Sequence, residues 1–200
     1  MTKDNLFIKL VIFTVCNNNL QIYLIKDKLP EEKFNGDLTL NQVAESIYKK
    51  TIGSITKDIY LEQLYTFNPQ KILPVSVVYY ILAPYAIFPD DKKVNLFKIS
   101  DLSTNIADYE IIMYAVKRLR WKIEYTNVVY SLLPPEFTLG ELQTIYETIL
   151  GKNLDKRNFR RKILSLNLLK ASGKKRRGVV ARPAAVYEFK RRRPEIVKVF

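Results

Sequence analysis

The sequence predicts an α/β domain with a mixed sheet over residues 1–124, followed by a small α+β domain over residues 125–200. Three observations predict it. Apolar runs of strand character alternate with helix-period segments through the first half, the pattern of a sheet packed against helices. The second half carries two helix signals separated by a glycine turn and then two short strand signals. Charge is also split: residues 1–116 hold 12 basic and 13 acidic side chains and residues 117–200 hold 21 and 7, so the net charge of +13 belongs to the C-terminal part. A near-neutral domain has no electrostatic reason to seek a polyanion, whereas a strongly basic one does.

In chain order, Leu6 to Val15 and Leu20 to Ile25 are β-rich runs flanking Asn17-Asn18-Asn19, residues that tolerate positive φ, and so read as a hairpin. Thr39 to Ile52 places Leu40, Val43, Ala44, Ile47 and Tyr48 at helical spacing, and Gly53 closes the helix. Ile59 to Phe67 and Val75 to Leu82 are strands separated by Asn68-Pro69 and Pro74. Ala107 to Lys122 has helical spacing again and ends the first domain.

Thr138-Leu139-Gly140-Glu141 is a capping box, followed by Leu142, Ile145, Tyr146 and Ile149 at helical spacing, and Gly151 stands where a helix C′ residue belongs. Asp155 is an N-cap for a second helix from Lys156, in which Phe159, Ile163 and Leu166 share one face and Arg157, Asn158, Arg161 and Ser165 the other. A short strand from Leu168 to Ala171, a basic loop over Lys174-Lys175-Arg176-Arg177-Gly178 and a strand from Ala185 to Phe189 complete a winged helix-turn-helix. Between Lys152 and Arg182 twelve basic residues face one acid, Asp155, already used as a cap. Arg reads guanine and Asn adenine bidentately, and spare cations neutralise phosphate. The candidate contacts to double-stranded DNA are therefore Lys156, Arg157, Asn158, Arg160, Arg161 and Ser165 on the helix and Lys174, Lys175, Arg176, Arg177 and Arg182 on the wing. The competing reading is a solvated basic surface, which the helix-turn-helix context disfavours. The tail Lys190-Arg191-Arg192-Arg193 either adds to the DNA field or only solubilises the end.

Other chemistry is thinly supplied. No apolar run reaches the roughly 20 residues that span a bilayer, and Met1-Thr2-Lys3-Asp4 leads straight into a strand, so a cytoplasmic protein without membrane contact is expected. One cysteine, Cys16, cannot form an intrachain disulfide, and with no histidine neither a usual zinc site nor an activated thiol is expected. The six glycines form no phosphate-cradling loop, and no cofactor is implied. Trp121 reads as a packing residue at a domain or dimer interface.

Glu124-Tyr125-Thr126, the run from Ser131 to Thr138, Glu141-Leu142-Gln143, Tyr146-Glu147, the run from Asp155 to Arg161 and Arg182-Pro183-Ala184-Ala185 together resemble the C-terminal domain of Nudix-related transcriptional regulators. The resemblance covers nearly all of residues 108–189. Tyr60 to Phe67 and Val75 to Tyr80 are more loosely similar to the Nudix fold, which makes the first domain Nudix-like. A Nudix hydrolase holds divalent metal on a signature ending Arg-Glu-x-x-Glu-Glu-x-Gly. With its glycine on Gly53, the Arg-Glu pair falls on Ser46 and Ile47 and the two metal-binding glutamates fall on Lys50 and Thr51, while the opening glycine and glutamate fall on Glu32 and Leu38. Magnesium seeks carboxylate oxygens and a cation repels it, so no metal and no catalytic residues are expected, and Glu45 is a solvated carboxylate.

The resemblance implies a homodimer on a palindromic operator, with a small-molecule effector in the Nudix-like domain that alters DNA binding. Members respond to ADP-ribose and control NAD-cofactor genes, while related ones sense sugars or their derivatives. For a phosphate-bearing effector the candidates are Lys26, Lys28, Lys49 and Lys50, with Tyr23, Tyr65 and Tyr79 available to stack; the same residues read more readily as surface lysines and core tyrosines. Release would follow if the effector reoriented the domains through the Ala107–Lys122 helix and the connection after it. Two alternatives stand beside this repressor: a constitutive DNA binder whose first domain only dimerises, and a Nudix hydrolase with ligands elsewhere.

Overall fold

A computed structural model describes residues 6–53, 58–68, 74–176 and 183–199. Strands β1 (Leu6–Cys16) and β2 (Asn19–Tyr23) form the expected hairpin, and its two-residue turn holds Asn17 and Asn18 at φ 49° and 59°, the left-handed values that match a hairpin's twist. Strand β2 ends at Tyr23, two residues short of expectation, because Ile25 and Lys28 close a second tight turn with Lys26 and Asp27 at positive φ. β3 (Glu31–Lys33) returns against β1. Helix α1 (Leu40–Thr51) is capped by Thr39 and Gln42, and Gly53 follows at φ +128°.

β4 (Tyr60–Phe67), β5 (Val75–Leu82) and β6 (Leu96–Lys98) complete a sheet of order β4-β5-β1-β2-β6, in which β5 runs parallel to β1 and the other pairs are antiparallel. A four-residue helix α2 (Asp90–Lys93) precedes β6. Alternation along β1 separates two cores: Ile8, Leu10 and Ile12 pack toward Val43, Ala44, Ile47 and Tyr48 of α1, and Val11 and Phe13 face the opposite side. That side is covered by α3 (Tyr109–Tyr125), which starts two residues later and ends three later than expected and buries Ile112, Ala115, Val116, Leu119 and Ile123. The first domain is thus a helix–sheet–helix sandwich.

A 3-10 segment, Val128–Leu132, is wholly buried and leads to β7 (Phe137–Thr138) and α4 (Leu139–Leu150). Helix α5 (Lys156–Ser165) follows, then β8 (Leu169–Arg176) and β9 (Ala184–Phe189), and these strands with β7 form a sheet of order β7-β9-β8. Among the described residues the second domain shares its core with the first. Leu142, Tyr146, Ile149, Phe159 and Phe189 belong to the same apolar cluster as Val11, Phe13, Leu82 and the inner face of α3. No helix among the described residues is long and apolar enough to cross a membrane.

Candidate functional site

Helix α5 is held by local chemistry. The Asp155 carboxylate accepts from Asn158 N at 2.8 Å, satisfying a first-turn donor. Phe159 and Ile163 are buried, with Phe159 edge-on to Tyr146 of α4 at 5.5 Å. The turn before α5 is fixed by Gly151 at φ +68° and by Glu147 Oε1, which accepts from Leu154 N at 2.8 Å and from Gln143 Nε2 at 2.9 Å. Arg120 of α3 donates from Nε to the Ile149 carbonyl at 2.9 Å, capping α4 and tying the pair of helices to the first domain.

Lys156, Arg157, Asn158, Arg160, Arg161 and Ser165 are all exposed on α5. Arg161 Nη2 donates to Asn158 Oδ1 at 3.0 Å, which pre-positions both side chains. Ser165 turns its hydroxyl back to the Lys162 carbonyl at 2.7 Å and so presents only acceptor capacity. The helix divides two grooves. Lys156 and Arg160 border one with Thr138, Gly140 and Ala184, and Asn158, Arg161 and Ser165 border the other with Val199.

The wing differs from the expectation. The charge of Lys174, Lys175 and Arg176 predicts a loop, yet they lie in β8, because Gly173 at φ +78° absorbs a bulge and Lys175 and Arg176 then pair with Ala185 and Ala184. Lys174 Nζ bonds Glu136 Oε1 at 2.6 Å, and that carboxylate holds the ammonium's pKa above its ordinary value. Arg176 pairs with Glu141, the acid of the α4 capping box, and donates to the Glu136 carbonyl at 3.1 Å. These exposed pairs are weak enough to exchange for phosphate. Lys175 is exposed; Arg177 and Arg182 lie outside the described residues.

The effector candidates do not converge. Lys26 and Lys28 border a groove of about 480 Å³ with Phe97, Asp101 and Asn105. Lys49 and Lys50 are exposed on the last turn of α1. Tyr65 is exposed beside Phe67 and Tyr114, on the α3 side of the sheet. Tyr79 is buried on the α1 side and donates to Asn41 Oδ1 at 2.6 Å, and Tyr23 is buried against Phe88. The divalent metal that the Nudix fold implies does not fit the residues present. At its expected position Lys50 Nζ bonds both Glu32 carboxylate oxygens at 3.0 Å, Thr51 donates its hydroxyl to the Ile47 carbonyl at 2.7 Å, and no group of three His, Cys, Asp or Glu suited to a metal occurs among the described residues. A lysine ammonium and a threonine hydroxyl at those two positions offer a metal no carboxylate oxygen.

Sequence reasoning missed the groups that join the domains and those that tie β4, β5 and α3 within the first. Ser131 Oγ accepts from Tyr60 N at 2.9 Å and donates to the Leu82 carbonyl at 2.6 Å, linking the 3-10 segment to β4 and β5. Glu62 accepts from Tyr60 and Tyr80 hydroxyls and from Lys122 Nζ, each at 2.6 Å. Burial alone would raise the Glu62 carboxyl, but these three donors outweigh it and its pKa lies below the usual value. The tail is also unlike the expectation: Arg192 points inward to Asp58, and Val199 is fully buried. Trp121 is half-exposed under the Lys117 ammonium, 4.8 Å from its ring.

A Nudix-type sandwich whose metal position is filled by a lysine, fused to a winged helix with an exposed Arg/Asn face, defines a transcriptional regulator built on a Nudix-type fold. The profile of the "NrtR DNA-binding winged helix domain" matches residues 129–189. The ADPR responsive transcriptional repressor NtrR of Acinetobacter baylyi is 30% identical over 208 residues, spanning 91% of this chain and 80% of that protein. Among solved structures, Shewanella oneidensis NrtR complexed with a 27mer DNA superposes with a TM-score of 0.79 at 25% identity, over 92% of this chain and 93% of that one. A MutT/nudix family protein from Enterococcus faecalis shares the fold, with a TM-score of 0.67 at 19% identity over 95% of this chain and 88% of its own. The chain belongs to the NrtR family of Nudix-related transcriptional regulators.

Proposed function

We propose that the protein is a repressor that binds a palindromic operator as a homodimer and is released by ADP-ribose or a related sugar derivative. Residues 125–200 read DNA, and residues 1–124 dimerise and hold the effector. The observation that carries the reading is the capped helix α5 with Asn158 and Arg161 already paired on its exposed face, in a chain 30% identical to an ADPR responsive repressor. Arg157, Asn158 and Arg161 contact base edges; Lys156, Arg160, Lys174, Lys175 and Arg176, with Arg177 and Arg182, contact phosphate. Two such helices enter successive major grooves about 34 Å apart. The protein acts in the cytoplasm, where its operator is, and does not hydrolyse its effector, because Lys50 and Thr51 stand where metal-binding carboxylates are required.

The test is fluorescence anisotropy on the protein's own upstream DNA at fixed salt, repeated with ADP-ribose, NAD, pentoses and pentose phosphates. Release by one compound that is recovered intact after incubation with magnesium supports the reading. Turnover of that compound would remove the non-enzymatic part. A second reading, constitutive binding with a dimerising first domain, is favoured by the separation of Lys26 and Lys28 from Lys49, Lys50 and Tyr79. It predicts tight operator binding that no compound shifts.

A further inference from the structure

The guanidinium of Arg192 joins two chain segments that are remote from it in sequence. Its Nε donates to Asp58 Oδ2 at 2.8 Å, in the segment between α1 and β4. Its Nη2 donates to the Tyr130 and Leu133 carbonyls at 2.7 and 2.8 Å, and its Nη1 to the Pro134 carbonyl at 3.3 Å, at the end of the buried 3-10 segment. The group lies 5.8 Å from the Tyr130 ring centroid, and its side chain is only 16% exposed. Four donors are thus placed on three carbonyls and one carboxylate, a fork that lysine cannot reproduce. Among the described residues Asp58 is the one acid on this cation, so it supplies the charge balance for a largely buried site.

Beyond Arg192 the tail runs back along the end of α3. Asn127 exchanges backbone and side-chain bonds with Glu195, Thr126 pairs with Ile196, and Val197 N and Val199 N donate to the Tyr125 and Glu124 carbonyls, each at 2.9 Å. Val199 then reaches the groove beside Asn158 and Arg161. Arg192 therefore stands between β9 of the winged helix and a strap fastened to α3. A rotation of the winged helix against the sandwich must stretch this grip or break it.

We infer that Arg192 is the positioning residue that fixes the winged helix on the first domain, and that Asp58 sets the strength of its grip. Asp58 stands two positions before β4, whose Tyr60 N donates to Ser131 Oγ of the 3-10 segment, so a ligand that shifts β4 against that segment shifts the anion that Arg192 holds. This coupling role rests on the effector-released reading above; the grip itself does not. In the whole chain, Asp58→Asn keeps the shape of the half-exposed side chain and removes its charge, and Asp58→Glu restores the charge.

Without DNA or ligand, hydrogen exchange at Val197 and Val199 is expected to quicken about threefold to tenfold in Asp58→Asn and to return toward wild type in Asp58→Glu, the range one partly exposed charged hydrogen bond supports. Equal rates in all three proteins would overturn the grip. With DNA, the ratio of operator Kd with and without ADP-ribose is expected to fall toward one in Asp58→Asn while direct titrations show each ligand's own affinity kept, and to recover in Asp58→Glu. An unchanged ratio in Asp58→Asn overturns the coupling role. A ratio of one in the wild type instead removes the effector reading, and the exchange rates still decide the grip.

Discussion

Arg161 and Lys156 are both exposed cations of α5, yet they face different grooves, and the proposed reading gives them different tasks. In that reading Arg161, paired with Asn158, reads base edges. Arg161→Ala should cost about 1–3 kcal/mol on operator and much less on scrambled DNA, so anisotropy on the two sequences should show discrimination falling. Lys156→Ala should weaken both DNAs alike and make the slope of log K against log salt shallower by about one. If Arg161→Ala kept the wild-type preference between sequences, base readout would lie elsewhere on the helix. The cap and face of α5 are legible in the sequence because Asp155, Phe159 and Ile163 act within one or two turns of each other. Arg192 is not, since its partner Asp58 is 134 positions away and nothing in a run of four basic residues marks one of them as inward. The Lys50 substitution is legible at the metal position, whereas its pairing with Glu32 needs the fold to bring positions 18 apart together.

Elements held by local rules form where the sequence predicts them, and those held by distant pairing are hidden from it. The Asn17-Asn18 hairpin, the capping box of α4 and the Asp155 cap are each decided within four residues. β3, β6 and β7 have two or three residues each, too few for any periodicity to register. The strand character of Lys174 to Arg176 is masked by their charge, because an exposed wing strand needs no apolar side to pair its backbone. Asp155→Ala should destabilise the protein by roughly 1 kcal/mol, measured as a lower urea midpoint at unchanged m-value. The joint between β4, β5 and α3 predicts a pH effect. Glu62 has a folded pKa below its unfolded one, so its contribution is present above the unfolded value of about 4.3 and is lost as pH falls through the folded value. Comparing unfolding of Glu62→Gln and wild type from pH 7 to pH 3, the gap should narrow toward the acid end; a constant gap would assign Glu62 no such role.

At the scale of the whole molecule, the charge division between the two halves predicts where polyanion binding lies, but it gives no sign that both halves share one core. The cluster running from Val11 and Leu82 through α3 to Phe159 and Phe189 predicts a single calorimetric transition, and two resolved transitions would show that the winged helix folds apart. Phe159→Ala, in that cluster, should cost about 3–5 kcal/mol of global stability. The shared core also shapes the genetics of the protein. A selection for cells that have lost repression will not return changes in α5 alone. It will return substitutions at Phe13, Leu82, Ile112 and Leu119 as readily, because a packing defect placed on the sheet is felt in the winged helix domain, and the map of such mutants will trace the apolar cluster through both halves of the chain.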